Sequence, residues 1–487
     1  MEWKSGCPRR TRSRRSSVSS AWRQTTGCCR ANTASSICGC RTSFICASGH
    51  QRPSRCPARY ENDNERRSSV CTGVDVAKTR NGVVAALDIG TSKVVCFIAR
   101  VYGQGLRVVG IGHQAALGMR SGNIVDMEAA TRAISSAVST GEEMCGEHVR
   151  EVIVGVSGGS PASHNQSLEV MVGHHEIGER DIRRGQQLIQ LPAETADRDI
   201  IHSQAIGYSV DGTPVRDARG MFGERLGVDV HLVTAQSGAM RNLQVCVRRA
   251  HLEIADRVTA AHASGLSSLV ADERDLGVTL IDMGGGTTSI AVFYEGNLVH
   301  VDSIPVGGDH VTRDIARGLS TPVAHAERMK TQIGRAVAKP NDEYDIIDVP
   351  LIGEEERTRP NHVPRSILVG IIRPRIEETF ELVRSRLEAS GVDKLAGGRA
   401  VLVGGASLLD GVPEVAGAIL NKKVRVGAPL RLAGLADSTG GPAFSAAAGL
   451  LAYAQMQHAA TQPASASQTE APRGRIGRIG SWIRENF

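Results

Sequence analysis

Aromatic residues and long apolar runs are scarce in this sequence. Only 3% of its 487 residues are Phe, Trp or Tyr, whereas 54 are glycine, so the core must consist of aliphatic side chains joined by tight turns. No apolar stretch approaches the ~20 residues that a membrane-spanning helix needs. The 41% hydrophobic and 22% charged content is that of a globular protein. The length predicts about three folding units.

Cysteine and acidic residues are unevenly distributed. Residues 1–80 hold eight of the 11 cysteines, 16 of the 57 basic residues and five of the 51 acidic ones, a net charge of +11. The remainder has 41 basic against 46 acidic residues, which argues against a nucleic-acid-binding protein. Its three cysteines, Cys96, Cys145 and Cys246, are widely spaced, as is typical of a reducing cytoplasm without disulfides.

The segment 1–80 differs from the rest in character as well. It is rich in Arg, Ser, Cys and Thr and has no sustained hydrophobic period. Its cysteines lack the paired spacing of a zinc site, and it has no apolar signal-peptide core. Two interpretations remain open: a disordered extension, or a translation start assigned too far upstream. We favour the second.

Three glycine turns, each preceded by a buried strand, dominate the remainder. They lie in ALDIGTSK (86–93), LIDMGGGTTSIAVF (280–293) and VLVGGAS (401–407). The first two share one plan, in which an apolar strand is followed by Asp, a glycine turn, hydroxyl residues and a second strand. Two copies 194 residues apart predict duplicated α/β halves that face each other. The third turn precedes a predicted helix over 409–420.

These turns have the chemistry of a nucleotide site. Glycine turns expose converging N–H groups that bind phosphate oxygens. Asp88 and Asp282, at the strand ends, can hold the waters of a Mg²⁺ that bridges phosphates, and Lys93 can neutralise a phosphate. One such turn alone is more often an ordinary hairpin, but two in the same register with a third after a strand indicate metal–nucleotide binding. No P-loop or kinase glycine loop occurs.

The quoted motifs resemble the actin-like ATPase superfamily, and most of all its FtsA family of bacterial cell-division proteins, over roughly 83–487. ALDIGTSK resembles the first phosphate loop, LIDMGGGTTSIAVF the second and VLVGGASLLDGV the adenosine-binding turn; VGAPLRLAGLAD (426–437), SAAAGLLAYA (445–454) and SWIRENF (481–487) resemble this family in particular. The resemblance implies an α/β, two-domain actin-like ATPase fold with an inserted FtsA-type subdomain and a C-terminal amphipathic helix.

The same resemblance implies ATP and Mg²⁺ as ligands, with Asp88 and Asp282 holding the metal indirectly. Glu327 and Lys330 would contact the ribose and base, although their spacing alone indicates only an i,i+3 surface pair on a helix. The implied binding residues are Asp88, Gly90, Thr91, Ser92, Lys93, Asp282, Gly284, Gly285, Gly286, Thr287, Thr288, Gly308, Asp309, Glu327, Lys330, Gly404, Gly405, Ala406 and Ser407.

Family resemblance also suggests how the chain is divided. We expect domain I at 81–157, 235–272 and 435–456, domain II at 273–305, 306–372 and 373–434, an insert at 158–234, a linker at 457–473 and an amphipathic helix at 474–487. The insert would mediate self-association and contacts with other division proteins. The upper part of domain II, 306–372, would bind the C-terminal tail of the tubulin-like FtsZ. Candidate contacts are the basic residues Arg328, Lys330, Arg335 and Arg365; the alternative is a solvated basic face.

Hydrolysis is predicted to be slow at most. Related ATPases place a Glu or Gln in the segment before the second phosphate loop to orient the attacking water. The matching segment, 258–269, has neither, and His262 is its only titratable side chain, either structural or adjacent to the nucleotide. Ser289 also stands where many relatives have Asp. ATP would then act as a conformational and polymerisation ligand.

The chain ends in GRIGRIGSWIRENF (474–487), whose pattern is that of an in-plane membrane helix. On a helical wheel one face gathers Ile476, Ile479, Trp482, Ile483 and Phe487, with Arg475, Arg478 and Arg484 along its margins. Its three glycines each cost ~1 kcal/mol of helix stability, so binding should be weak and depend on avidity. The alternative is a helix packed on the protein's own surface.

We therefore predict a peripheral protein at the cytoplasmic face of the cell membrane. It would tether FtsZ filaments at the division site, polymerise there and help recruit later division proteins. Three other classes share the ATP site. A sugar kinase needs a substrate-deprotonating carboxylate that the sequence does not locate. A shape-determining or pilus-assembly actin homologue leaves the linker and tail unexplained. A chaperone ATPase would need a substrate-binding domain after the ATPase, where only the tail follows residue 456.

Overall fold

Two five-stranded sheets with the same strand order organise the chain. The computed structural model describes residues 82–102, 105–189, 195–353, 361–430 and 432–461, all within one compact unit, Arg66–Phe487. Residues 1–80 and the tail 474–487 lie outside the described residues, so the predictions made for them stay predictions.

The first half consists of β1 (Val83–Ile89), β2 (Lys93–Tyr102), β3 (Gly105–Ala115), β4 (Met119–Arg120), β5 (Asn123–Ile124), α1 (Met127–Cys145), β6 (Glu151–Val156) and, after an insert, α3 (Ser237–Arg249), β11 (Glu253–Thr259), α4 (Ala260–Ser268) and α5 (Ala271–Leu276). The insert consists of β7 (Ala162–Met171), α2 (Glu179–Gln187), β8 (Arg198–Val210), β9 (Thr213–Val215) and β10 (Arg225–Gln236).

The second half consists of β12 (Val278–Met283), β13 (Thr288–Tyr294), β14 (Asn297–Ile304), α6 (Gly308–Gly318), α7 (Val323–Ile333), β15 (Ile346–Val349), β16 (Asn361–Pro364), α8 (Arg365–Ser390), β17 (Arg399–Val403), α9 (Val412–Leu420) and β18 (Lys423–Val426); α10 (Ser445–Thr461) then returns to the first half. The predicted helix over 409–420 begins later, at Val412, because Gly411 adopts φ +83°.

Strand order confirms the predicted duplication. The first sheet runs β3-β2-β1-β6-β11 and the second runs β14-β13-β12-β17-β18. In each, an antiparallel hairpin is followed by two strands parallel to its first strand. Asp88 is paired with Val95 and Asp282 with Ser289, so both aspartates lie next to the turn of the first hairpin of their half. The fold is an α/β actin-like fold.

Helices α4 and α10 pack between the two sheets. Leu450 and Leu451 of α10 lie against the first sheet, whereas Ala261 of α4 belongs to the core of the second. The two helices cross so closely that a Cβ on Gly449 would lie 1.7 Å from the carbonyl oxygen of Ala263. Only glycine at 449 permits this close approach of α10 to α4, and thereby of the first half to the second.

The insert forms a subdomain with its own core. Its sheet runs β7-β10-β8-β9, and its core includes Val170, Ile182 and Leu226. Part-buried hydrogen bonds join it to the second half. The Ser163 hydroxyl donates to the Val301 carbonyl at 3.0 Å and accepts from the Val301 amide at 2.6 Å. The Asn297 side-chain amide donates to the Ile206 carbonyl at 3.4 Å.

Helix α10 extends further than predicted. It continues through Thr461, so residues 457–461 are helical rather than part of the predicted linker. The reason is local, since Gln, His and Ala there allow the helix to continue, and the first Pro comes at 463. Among the described helices, none is both long and apolar enough to cross a membrane.

Candidate functional site

A cavity of about 560 Å³ lies where the two halves meet. This volume is in the range of small-molecule sites. The cavity brings together most of the residues predicted to bind nucleotide: Asp88, Gly90, Thr91, Ser92, Lys93, Asp282, Gly284, Gly285, Thr287, Gly308, Asp309, Glu327, Lys330, Gly404, Gly405 and Ala406. Three turns far apart in sequence therefore face one space.

The two predicted phosphate turns touch each other. A Cβ on Gly286 would lie 2.6 Å from the Thr91 hydroxyl oxygen and 2.9 Å from the Ser121 Cα. Thr91 is itself fixed, because its hydroxyl accepts a hydrogen bond of 2.9 Å from the Gly122 amide. Close packing of backbone against side chain thus sets the distance between the halves, and glycine at 286 makes it possible.

Three of the predicted residues do not line the cavity, and each has a structural role. Gly286 packs against Thr91. The Thr288 hydroxyl donates to the Val306 carbonyl at 2.8 Å, and the Ser407 hydroxyl donates to the Gly404 carbonyl at 2.7 Å. These two hydroxyls hold the shape of the turns rather than face the space between them.

Two buried carboxylates and one ammonium group dominate the electrostatics of the cavity. Burial, aided by the charge of Asp282 and opposed by Lys93, raises the pKa of Asp88 from its usual 3.8 to about 6. Burial also raises the pKa of Asp282 and lowers that of Lys93. The Lys93 ammonium lies 3.5 Å from the centre of the Phe444 ring.

This charge distribution fits a divalent cation. Two acidic groups that repel each other in a buried cavity gain from a cation placed between them. Within the described ranges, no three His, Cys, Asp or Glu side chains gather to bind a metal directly. The pair therefore fits the arrangement expected from the sequence, in which Asp88 and Asp282 would hold the waters of a Mg²⁺ rather than bind it directly.

Ser264 is a functional candidate that the sequence analysis did not identify. Its hydroxyl donates to Asp282 Oδ2 at 2.6 Å, from helix α4. This hydrogen bond orients the carboxylate and lowers the pKa of Asp282 against the effect of burial. In segment 258–269 the sequence pattern predicts a role only for a water-orienting side chain, which is absent. A serine that bonds a carboxylate 18 positions away in the chain has no motif that would identify it.

Helix α6 is attached to the second turn by its backbone. The Gly308 amide donates to the Gly284 carbonyl at 3.0 Å, and the Asp309 amide donates to the Gly285 carbonyl at 2.8 Å. These two amides are therefore engaged in positioning the helix. Gly308 and Asp309 border the cavity without offering those N–H groups to a ligand.

Glu327 and Lys330 form the i,i+3 pair that their spacing predicts, and both also border the cavity. The Lys330 ammonium donates to Glu327 Oε2 at 2.7 Å, as expected for an i,i+3 pair, and both side chains line the cavity. The pair also reaches α6, because the Thr312 hydroxyl donates to Glu327 at 2.5 Å and accepts from Lys330 at 2.9 Å.

Further residues line the cavity beside Glu327 and Lys330, on the side away from the phosphate turns. They are Thr331, Gln332, Ile333, Gly334, Arg335, Leu408, Leu409 and Asp410. None was among the individual residues predicted to bind nucleotide, although Leu408, Leu409 and Asp410 lie within the turn that resembles an adenosine-binding turn. Arg335 was predicted only as a partner contact. Nothing in the local pattern marks the others, since the wall forms only when the end of α7 lies against the turn before α9.

His262 is buried away from the cavity lining. Its ring lies 5.0 Å from that of His202 and 6.1 Å from that of Phe293, between centroids. Burial, aided by the charge of Arg274, lowers its pKa to about 4. This environment favours the structural interpretation. Ser289 does border the cavity, with its hydroxyl 3.3 Å from that of Ser303.

The basic residues predicted to contact FtsZ differ in availability. Arg335 is paired with Asp342 at 3.2 Å and Arg365 with Asp345 at 2.6 Å, while Lys330 is paired with Glu327. Arg328 is exposed on α7. The predicted membrane face, Ile476 to Phe487, lies outside the described residues.

Two family models match the chain. The model described as "Cell division protein FtsA" matches residues 279–449, and the model described as "SHS2 domain inserted in FTSA" matches residues 158–234. The second range spans most of the inserted sheet.

Curated relatives match over most of the chain. Cell division protein FtsA of Rhizobium meliloti (strain 1021) is 44% identical over 422 residues, which cover 84% of this chain and 96% of the relative. Cell division protein FtsA of Escherichia coli (strain K12) is 30% identical over 422 residues, covering 85% of this chain and 100% of the relative. Among solved structures, the PilM-PilN type IV pilus biogenesis complex matches at a TM-score of 0.53 and 17% identity over 76% of this chain and 98% of that one, a likeness of fold alone.

Proposed function

The chain belongs to the FtsA family of cell division proteins, and we propose that it binds ATP with Mg²⁺ between its two halves and tethers FtsZ filaments to the cell membrane. The observation that carries the nucleotide site is the meeting of three glycine turns around two buried aspartates and one lysine. Burying two carboxylates that repel each other costs free energy, and no local feature of the fold requires it. A bound cation would explain their position.

In this site each group has a separate task. Lys93 and the backbone of the two hairpin turns neutralise and orient the phosphates. Asp88 and Asp282 would hold the waters of a bound Mg²⁺, which would supply positive charge to offset the phosphates. The hydroxyl of Ser264 keeps Asp282 in its orientation. Because segment 258–269 supplies a serine to the site and no carboxylate, we propose that hydrolysis is slow.

The nucleotide proposal is tested with the full chain by titrating a fluorescent ATP analogue with and without Mg²⁺. Lys93→Ala removes a charge-assisted hydrogen bond worth ~1.5–3 kcal/mol, which corresponds to a roughly 10- to 100-fold loss of affinity. Arg132→Ala is the control, because Arg132 is exposed on α1 and pairs with Glu128. Equal affinity of wild type and Lys93→Ala would contradict the assignment.

We further propose that FtsZ docks on the part of the second half formed by α6, α7, β15, β16 and the start of α8. Exposed apolar side chains cluster on this segment: Val323, Tyr344, Ile346, Ile352 and Ile367. Tyr344 is 82% exposed, and exposed Arg328 adds a positive charge on α7. An apolar tail with acidic residues, as the family resemblance implies for FtsZ, matches such a surface.

Co-sedimentation with FtsZ filaments tests the docking surface. Tyr344→Ala should reduce pelleting with FtsZ because an exposed aromatic side chain is the strongest contact such a surface offers. Tyr102→Ala serves as a control, since Tyr102 is 53% exposed on β2 of the first half. Equal loss in both variants would refute the location.

Membrane attachment is assigned to residues 474–487 on their sequence pattern. Deleting them should leave ATP binding intact and abolish flotation with vesicles that contain anionic lipid. Replacing Ile479 and Trp482 with Glu in the full chain should have the same effect without shortening it. Flotation of both variants at the wild-type level would place the membrane contact elsewhere.

A further inference from the structure

The Lys93 ammonium has an aromatic partner rather than an acidic one. Its Nζ lies 3.5 Å from the centre of the Phe444 ring, a distance at which the face of an aromatic ring attracts a cation. Lys93 borders the cavity together with Asp88 and Asp282. Burial lowers the pKa of Lys93, and the two carboxylates oppose this shift through their charge, without a hydrogen bond to the ammonium. In the described part of the chain, the ammonium is therefore close to two carboxylates but paired with neither.

The Phe444 ring is held by the core of the first half. Phe444 ends a single turn of 3₁₀ helix, Pro442–Phe444, that leads into α10. Its ring stacks on that of Phe97 of β2, with centroids 6.2 Å apart and planes 18° from parallel. The His113 ring of β3 packs against it edge-on, with centroids 6.1 Å apart. Because Phe97 is fully buried, these contacts fix the ring from the side of the first sheet.

The same 3₁₀ turn also contacts the second half. The Pro442 carbonyl accepts a hydrogen bond of 3.0 Å from the Gly404 amide, in the third glycine turn. A Cβ on Gly405 would lie 3.9 Å from the Ala443 Cβ. Pro442 and Ala443 both line the cavity. The segment 442–444 therefore lies between the third glycine turn of the second half and the lysine of the first.

A carboxylate partner would suit the lysine less well. In a buried cavity opposite charges attract strongly, so a salt bridge to Asp88 would hold the ammonium there. A phosphate could then bind the ammonium only after that salt bridge had broken. A ring face attracts the ammonium more weakly and leaves its charge uncompensated. Phe444 therefore suits a lysine whose partner is an anion that enters the cavity.

We propose that Phe444 is a positioning residue for the nucleotide site: its ring holds the Lys93 ammonium beside the cavity and apart from the two aspartates, where phosphate oxygens can accept its hydrogen bonds. Phe444 does not itself line the cavity, so its effect on a ligand passes through Lys93. The inference rests on the proposed nucleotide site. It predicts that loss of the ring weakens the binding of ligands with phosphates and spares adenosine, which has none.

Isothermal titration of the full-length protein with MgATP and with adenosine tests this role. Phe444→Leu keeps an apolar side chain and removes the ring, so it should lower the affinity for MgATP about three- to tenfold and leave that for adenosine unchanged. Phe444→Tyr keeps the ring face and should retain the affinity for MgATP. Phe222→Leu, exposed on the insert, is the control for the exchange of Phe for Leu. The decisive comparison is a double-mutant cycle: in a Lys93→Ala background, Phe444→Leu should cause no further loss of affinity.

The outcomes separate this role from the proposed nucleotide site. Wild-type protein that binds no MgATP would overturn both. If wild type binds MgATP, then no loss in Phe444→Leu, or an equal loss for MgATP and adenosine, would overturn the positioning role alone. The same conclusion would follow if Phe444→Leu lowered the affinity as much in the Lys93→Ala background as in wild type. A loss confined to MgATP and absent from that background would establish the role.

Discussion

The two halves share one strand order but contribute different chemistry to the cavity. In each, an aspartate is the last residue but one of the first strand, and a glycine turn follows. The first half adds a cation and hydroxyls, in Thr91, Ser92 and Lys93, whereas the second adds three consecutive glycines. The second half also supplies the wall of α7 and the turn before α9. The same strand order therefore carries a cation and hydroxyls on one side of the cavity and mostly glycine backbone on the other.

The two aspartates also differ in their neighbours. Asp282 accepts a hydrogen bond from Ser264, whereas the residue beside Asp88 is Gly155, whose added Cβ would lie 3.1 Å from Asp88 Oδ1. The carboxylate without the serine has its pKa raised to about 6. Equal positions in a duplicated fold therefore have unequal hydrogen-bond partners, and the Ser264 hydroxyl lowers the pKa of Asp282 against the effect of burial.

The largest expected effect comes from removing the charge of Asp88. Its pKa rises from 3.8 unfolded to about 6 folded, so its stabilising protonation is fully present below pH 3.8 and is lost as the pH rises through 6. At pH 7 the ligand-free protein is then destabilised by about 3 kcal/mol. We expect Asp88→Asn to be more stable than wild type at pH 7 without ligand, and this advantage to shrink towards pH 4. Urea unfolding at several pH values measures it; a pH-independent difference would contradict the assignment.

A smaller effect is expected from preventing the contact between the halves. Gly286→Ala places a Cβ 2.6 Å from the Thr91 hydroxyl, and such overpacking typically costs ~1–3 kcal/mol. ATP affinity should fall roughly tenfold or more, because the turns can no longer approach to their present distance. Gly238→Ala is the matched control, since nothing lies within 4 Å of its added Cβ on α3. If both variants bind ATP alike, the contact does not set the site.

The smallest effect tests the asymmetry between the aspartates directly. Ser264→Ala removes the hydrogen bond to Asp282 and makes its environment more like that of Asp88. A loss of about 1 kcal/mol is expected, a roughly fivefold weaker affinity for MgATP, with a smaller change for ATP without Mg²⁺. Ser136→Ala, exposed on α1, is the control. Isothermal titration at two Mg²⁺ concentrations separates the loss of affinity for MgATP from the loss for ATP alone. An equal loss of affinity at both Mg²⁺ concentrations would rule out the role of Ser264.

Sequence reasoning succeeded where the signal is local. The apolar strands, the glycine turns and the two aspartates lie within short segments, so their periodicity and composition predicted both hairpins and their place at one cavity. It failed where partners are distant. Ser264 reaches Asp282 through a helix packing, and Arg335 meets Asp410 across 75 positions, through a turn that no local pattern specifies. The predicted linker began at residue 457, whereas α10 continues through Thr461; helix ends are the least well defined part of a helix.

By itself the sequence determined the duplicated strand–Asp–glycine-turn plan, because alternating burial and turn geometry depend on residues that are neighbours in the chain. Only the tertiary structure decided which hydroxyl orients which carboxylate, which predicted residues face the cavity, and which aromatic ring lies beside Lys93. Those relations depend on side-chain packing between elements far apart in sequence, where a fraction of an ångström separates a hydrogen bond from none.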